Sequence, residues 1–395
     1  MNGDTVLLPI RGTPPVTSSR YTVASLFCGI GGFDLGFEWA GFSVVWASDL
    51  VDSAVASYAK NFGSQPVQAD LNKLPDREIP DVDVIIGGPP CQSFSLAGQR
   101  RPDDVRGQLV FRYLDVIRNK RPKAFVMENV PGIEASKLNG VRLTDFLVQQ
   151  FTELGYTVSK MKLDASLYLV PQRRKRVFLI GHLGAKVNTP DPRGFASTFY
   201  GIDIDNYDIS AKAAIGDLGE AVRKGEVASY KNGAHSKFSQ IMRSRKIDGV
   251  CLHEMPRMSE TDLRLISFIP PGGNYQDVPD EHATPRIMKF KASGGRTTTY
   301  GRLHPDRPSF TINTYFRRPN VGANFHYEYV RLITPREAMR FQSIPDYFST
   351  VHTSQDSRNA LIGNAVPPLL GRAVAWALKT AMMGENCEEA QPSLF

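Results

Sequence analysis

Cysteine is scarce in this chain: four residues, Cys28, Cys91, Cys251 and Cys387, with no CxxC pair among them. That scatter speaks against a zinc site and against a disulfide framework, and it leaves free thiols available for chemistry in a reducing compartment. Long apolar runs are also missing, and none approaches the ~18 residues of a membrane span. The opening stretch, MNGDTVLLPIRGTPPVTSS, has an apolar segment too short for a secretory signal. A cytosolic protein without membrane or metal is therefore expected. No internal repeat or low-complexity tract is visible.

What is present suits a globular protein with a sizeable core. Hydrophobic residues make up 42% of 395, and a chain of this length implies roughly two to three domains. The net charge of +7 is compatible with a polyanionic partner, although charge alone does not identify one.

Residues 1–20 are polar and Pro-rich and read as a flexible segment. Tyr21–Phe27 reads as a first strand that runs into CGIGGFDLGF. Glycines between a strand and a helix let the backbone approach a ligand closely, as in nucleotide-binding folds. Here they are Gly29, Gly31, Gly32 and Gly36 rather than a strict GxGxxG. A second strand, Ser43–Ser48, ends at Asp49, 20 positions after Gly29. Such folds place a carboxylate for ribose hydroxyls at about that distance. Oxidoreductases and methyltransferases share this turn, and a tight turn with no ligand is the competing reading. Asp70 ends a short third strand, where it can meet an adenine amino group or simply cap a helix.

The stretch Val84–Ser95, VIIGGPPCQSFS, is the most informative in the chain. An apolar strand stops at Gly87-Gly88 and Pro89-Pro90, which neither a helix nor a central strand accommodates. Cys91 follows at the strand's carboxyl end, the edge where open α/β sheets bind ligands. Free cysteine is usually a buried small side chain, but this punctuation favours a nucleophile, whereas Cys28 behind the glycine turn reads as structural. A helix across Gly107–Asn119 leads to the strand Ala124–Met127, then to Glu128 and Pro131-Gly132. A helix near Leu143–Leu154 and strands Tyr156–Leu163 and Val177–Gly181 follow, with Gln172, Arg174 and Arg176 before the last. Strands alternating with helices over about 180 residues indicate an α/β, doubly wound, mostly parallel sheet.

From about residue 184 the chain carries many Gly, Pro, Asn and Asp and little periodicity. Basic residues cluster in Lys231–Lys246 and at Lys289, Lys291 and Arg296, which by charge alone is an ordinary solvated face. This reads as a smaller irregular domain over 184–325, inserted into the first. The chain then returns over 326–383 to finish the first domain, and 384–395 form a flexible tail. Thr334-Pro335-Arg336-Glu337 is a helix start with cap, Pro and acid in place. Leu369–Met383 reads as an apolar closing helix.

The strand ends together offer a cofactor cradle, a thiol (Cys91), an acid (Glu128) and guanidinium groups (Arg174, Arg176). A thiolate attacks electron-poor unsaturated carbon readily, and a carboxylic acid donates to a ring nitrogen. The set suits conjugate addition to a pyrimidine better than acyl transfer. For Glu128 a capping carboxylate, and for the arginines a basic strand edge, are the plainer readings.

Taken with their order, FCGIGGF, ASDL, GGPPCQSFS, MENVPG, PQRRKRVFLIG, LITPREAMRFQSIPD and IGNAVPP resemble the DNA (cytosine-5)-methyltransferases, from about Thr22 to Thr380. The resemblance implies a Rossmann-like sheet with an inserted target-recognition domain and S-adenosyl-L-methionine as cofactor. That cofactor would lie near Phe27, Gly29, Gly31, Asp49, Leu50, Asp70, Pro90 and Asn364. Leu50 stands where some members carry an aromatic residue. The resemblance further implies that Cys91 attacks carbon 6 of a flipped-out cytosine while Glu128 holds ring nitrogen 3, with Arg174 or Arg176 orienting it. Gln92, Ser95 and Arg106 would belong to the loop closing over the base. The implied setting is a bacterial restriction–modification system, with a monomer acting on double-stranded DNA and a cognate restriction endonuclease alongside. The transfer-RNA relatives of the family carry a CFT-type motif that is absent here.

Overall fold

The structure is a computed structural model that describes residues 21–90 and 105–384, except 232, 234, 235, 245, 246 and 248. For 105–107 only the backbone is described. The chain packs into two compact units. Of the described residues, those in 21–90, 105–167, 175–191 and 368–384 form one unit, and those in 168–174 and 192–367 form the other.

The first unit is built on a seven-stranded sheet: β1 (Thr22–Leu26), β2 (Ser43–Asp49), β3 (Val67–Gln68), β4 (Val84–Gly87), β5 (Ala124–Asn129), β6 (Thr157–Asp164) and β7 (Lys175–His182). The spatial order is β3-β2-β1-β4-β5-β7-β6. Pairings from β3 to β5 are parallel, and β7 runs antiparallel to both β5 and β6. The mostly parallel, doubly wound sheet expected from the alternation of elements is present. Val84, Ile85 and Ile86 are fully buried, because β4 lies between β1 and β5 with helices on both faces.

Each face has its own cover. Ala24, Leu26, Ile85, Phe125, Met127 and Leu179 pack with residues of α3 (Val105–Lys120) and α4 (Leu143–Glu153) in one apolar cluster. On the other face, Phe33 of α1 (Gly32–Trp39) meets Phe178, and Tyr58 of α2 (Asp52–Phe62) bonds to Asp34. The closing helix, Pro368–Met382, packs on α1. The two backbones are so close that a Cβ on Gly36 would come within 2.6 Å of Arg372 N and Pro368 O. The stretch Gln355–Met382 reaches a mean hydropathy of 1.2, but 83% of its most apolar part is buried inside the protein.

The second unit has little strand: Gly301–Arg302 pairs with Ala323–Phe325, and the remaining bridges are isolated. Short helices and turns surround a core of Leu265, Ile266, Ile269, Tyr275, Ile287 and Phe325. Thr334 starts the helix Pro335–Phe341 with a complete capping box to Glu337. By packing, residues 326–367 belong here, and the chain rejoins the sheet unit at Pro368 rather than at 326. The reason is packing across the chain: Pro335–Phe341 packs against Ala211–Ile215 and Gln355–Asn364.

Candidate active site

The turn after β1 is bent by three residues with positive φ: Phe27 (57°), Gly29 (57°) and Gly31 (85°). Glycine takes this region freely, whereas Phe27 holds it against a steric cost. Gly31 stands at the start of α1 with no side-chain cap on the helix, and a Cβ on Gly29 would meet nothing within 4 Å. The space is open at Gly29, whereas at Gly31 a Cβ would run into the Phe62 ring. Asp49 closes its far side: one carboxylate oxygen accepts the Gly29 N–H and the other the Val51 N–H, both at 2.9 Å. Burial raises the Asp49 pKa above the usual carboxylate value, and the backbone donors oppose that rise. Beyond it, Leu50 and Val51 leave 60% and 51% of their surface to solvent.

This donor set fits S-adenosylmethionine. The carboxylate has lone pairs left for ribose hydroxyls, the exposed Leu50 offers an apolar face to an adenine, and the open glycine turn admits a close ligand. Asp70 caps its own turn, its side chain accepting the Asn72 N–H at 3.1 Å. Asn364 ends the helix Gln355–Asn364 with its side chain exposed.

The acid expected from sequence lies where β4 and β5 end. Glu128 lies within β5, one residue beyond the strand expected from sequence, and opposite Phe178 of β7. Its Oε1 is 2.8 Å from Arg176 Nε, and both residues are buried. Burial lowers the Arg176 pKa, while the Glu128 carboxylate pulls it back up. The other oxygen, Oε2, lies 2.9 Å from where a Cβ on Gly88 would be. Next along, Asn129 donates from Nδ2 to the Pro89 carbonyl at 2.8 Å. Beneath the site, the Tyr113 hydroxyl is within hydrogen-bond reach of the carbonyls of Ile85 and Val126, at 3.1 Å each.

Of the two arginines named from sequence, Arg176 is the one that grips Glu128. Arg174 is buried with its guanidinium donating to the carbonyls of Ile312, Gly363 and Ala365. It thus holds the backbone on either side of Asn364. Gln172 does similar work, donating to the Phe341 carbonyl and accepting the Ile312 N–H. Pro90 lies at the end of the described part of the β4 exit. Cys91, Gln92 and Ser95 lie outside the described residues, as does the side chain of Arg106, whose backbone begins α3. Among the described residues, no group of three or more His, Cys, Asp or Glu side chains is placed to hold a metal ion.

Sequence reasoning missed Gly88 and Asn129 as parts of the site, and Asp34 below it. The first two have a signal in hindsight: two prolines end a ladder without donors, so something must meet the carbonyl they leave. Asp34 is fully buried, taking hydrogen bonds from Ser25 Oγ and Tyr58 OH at 3.0 Å each. Burial pushes its pKa up to about 6, against the pull of those hydroxyls.

With this geometry in view, the comparisons with known proteins are consistent. The Type II methyltransferase M.AgeI of Thalassovita gelatinovora is 32% identical over 431 residues, covering 90% of this chain and 99% of the relative. M.NgoFVII of Neisseria gonorrhoeae, another Type II methyltransferase, is 32% identical over 89% of this chain and 84% of its own length. A solved structure, described as a DNA modification methyltransferase encoded within an Escherichia coli prophage, has a TM-score of 0.69 at 26% identity. It covers 92% of this chain and 99% of that one. The family model for C-5 cytosine-specific DNA methylases matches residues 21–380. The chain belongs to that family.

Proposed function

We propose that this DNA cytosine-5 methyltransferase works through a covalent bond between Cys91 and carbon 6 of a cytosine flipped out of duplex DNA. Its methyl donor would be S-adenosyl-L-methionine. The observation that carries the reading is the buried Glu128–Arg176 pair beside the β4 exit, one strand spacing from the chain that leads into Cys91.

Each residue then has a task. Asp49 and the glycine turn would hold the cofactor, with Leu50 against its adenine. When bound, the cofactor supplies a methyl group on a positively charged sulfur. Arg176 holds Oε1 of Glu128, and Oε2 would face ring nitrogen 3 of the base. Sharing a proton there stabilises the charge that develops in the ring when the Cys91 thiolate adds to carbon 6. Carbon 5 thereby becomes nucleophilic and takes the methyl group. Loss of its proton then reopens the carbon–sulfur bond and frees Cys91. Carbon 6 is inaccessible within a stacked duplex, so the base has to leave the stack, at a cost of a few kcal/mol.

The second unit, with its Lys, Arg, Asn and Gln side chains, would read the sequence through base edges in the major groove. The Type II relatives support a role as the modification enzyme of a bacterial restriction–modification system, in the cytoplasm and with a cognate endonuclease. Bisulfite sequencing of DNA from cells expressing the protein tests the reading. Protected cytosines at one short recurring sequence are expected, and fully converted DNA would overturn it.

A further inference from the structure

The last pair of the β4–β5 ladder is Gly87 with Met127. Beyond it the chain reads Gly88-Pro89-Pro90 on one side and Glu128-Asn129 on the other. Neither proline has an N–H, so backbone pairing stops there. Side chains then take over residue for residue. Glu128 lies against Gly88, and Asn129 takes the Pro89 carbonyl through Nδ2 while its Oδ1 accepts the Val130 N–H at 2.9 Å. Asn129 is buried, so its amide is held at both ends away from water, and only one orientation gives a donor to Pro89.

We propose that Asn129 is a positioning residue for methyl transfer. Its amide fixes the Pro89 carbonyl, and so the direction in which the chain leaves β4 for Cys91, two residues on. The inference rests on Cys91 being the nucleophile. Consecutive residues of one strand then serve two ends of the same base. Glu128 acts on ring nitrogen 3, and Asn129 acts through Pro89 and Pro90 on the attack at carbon 6. The prolines make that connection stiff, because each ring locks its own φ.

The test uses a duplex carrying 5-fluoro-2′-deoxycytidine at the methylated position, once bisulfite sequencing has defined it, together with S-adenosylmethionine. The sulfur–carbon 6 bond forms and the methyl group passes to carbon 5. Fluorine cannot leave as the proton does, so protein and DNA stay joined and the joining rate reports attack by the thiol. In N129A that rate should fall about 100-fold, the usual cost of a nucleophile displaced by ~1 Å. S-adenosylmethionine binding by calorimetry should remain as in the wild type.

N129D separates positioning from mere support of the fold. It is isosteric, but it presents an oxygen to the Pro89 carbonyl when ionised and an O–H donor when protonated. A buried carboxylate facing a carbonyl has a raised pKa. The ratio of N129D to wild-type joining rates should therefore rise as pH falls from about 8 to about 6, while the N129A ratio stays flat. A wild-type rate in N129A, or a flat ratio in N129D, overturns the positioning role, and N129D alone decides if N129A does not fold. If the wild type itself forms no joined product, the Cys91 reading fails and takes this inference with it.

Discussion

Apart from the Glu128–Arg176 pair, the two compact units differ in how they bury polar groups. In the sheet unit, Asp34 is buried between two hydroxyls, and burial pushes it up to about 6. The Cys28 thiol and the Tyr58 phenol beside it are raised by burial as well. In the other unit several of the buried groups are paired ions. Arg331 makes two bonds to Glu337, at 2.8 and 2.7 Å, and Arg340 is clasped by Asp346 and Asp217. Burial alone would raise Glu337, but the Arg331 guanidinium holds it well below the usual carboxylate range. A regular sheet can hide its apolar strands and leave a few groups bonded to hydroxyls near the glycine turn. A unit with little strand is fastened by charge.

The largest effects should fall on activity in the sheet unit. E128Q should slow methyl transfer about 10²–10⁴-fold, the usual worth of general acid–base catalysis, and it should also lower the midpoint of thermal unfolding, because Arg176 stays buried without its counter-ion. G88A should slow the transfer nearly as much, with the unfolding midpoint kept. Its Cβ would meet only the end of the Glu128 side chain, so the carboxylate moves while the fold stays, and cofactor binding by calorimetry should be intact. In the other unit the order reverses. E337Q leaves Arg331 buried without its counter-ion and should cost about 3–5 kcal/mol in denaturant unfolding.

Acid should push the two units in opposite directions. His326 accepts the N–H groups of Glu328 and Tyr329 at Nδ1 and faces Glu337 through Nε2 at 3.5 Å. Burial lowers its pKa to about 4, against the pull of Glu337. Its contribution is therefore present above its ordinary value of 6.5 and is lost as pH falls through about 4. Asp34 runs the other way: its contribution is present below 3.8 and is lost as pH rises through about 6. Hydrogen exchange between these limits should show protection around 326–337 falling with acid, while protection around Ser25, Asp34 and Tyr58 rises. Parallel behaviour in the two regions would remove the contrast, and D34N should flatten the second slope. The smallest effect concerns the cap at Thr334, which accepts the Glu337 N–H and pairs with His253. T334A should cost about 1 kcal/mol in denaturant unfolding.

The same contrast explains what was legible in the sequence. The strands β1, β4 and β5 are apolar runs closed by glycine, proline or a polar residue, so local pattern placed them and put Glu128 at the end of β5. Nothing local links Arg340 to Asp217, 123 residues apart, so the boundary at 326 came too early. The arginines show the limit at short range. Arg174 and Arg176 would share one face of a continuous strand, but β7 begins at Lys175, and Arg174 takes partners of its own. Asn129 was hidden for a related reason, since its bond to Pro89 follows from the register of two strands rather than from either one.

The most direct test of the account is mass spectrometry of the protein after incubation with S-adenosylmethionine and duplex DNA carrying 5-fluoro-2′-deoxycytidine at its target. A single covalent adduct on the peptide containing Cys91, absent in C91S, is the predicted result. An adduct on Cys28 or Cys251, or normal methylation with no adduct at all, would contradict it.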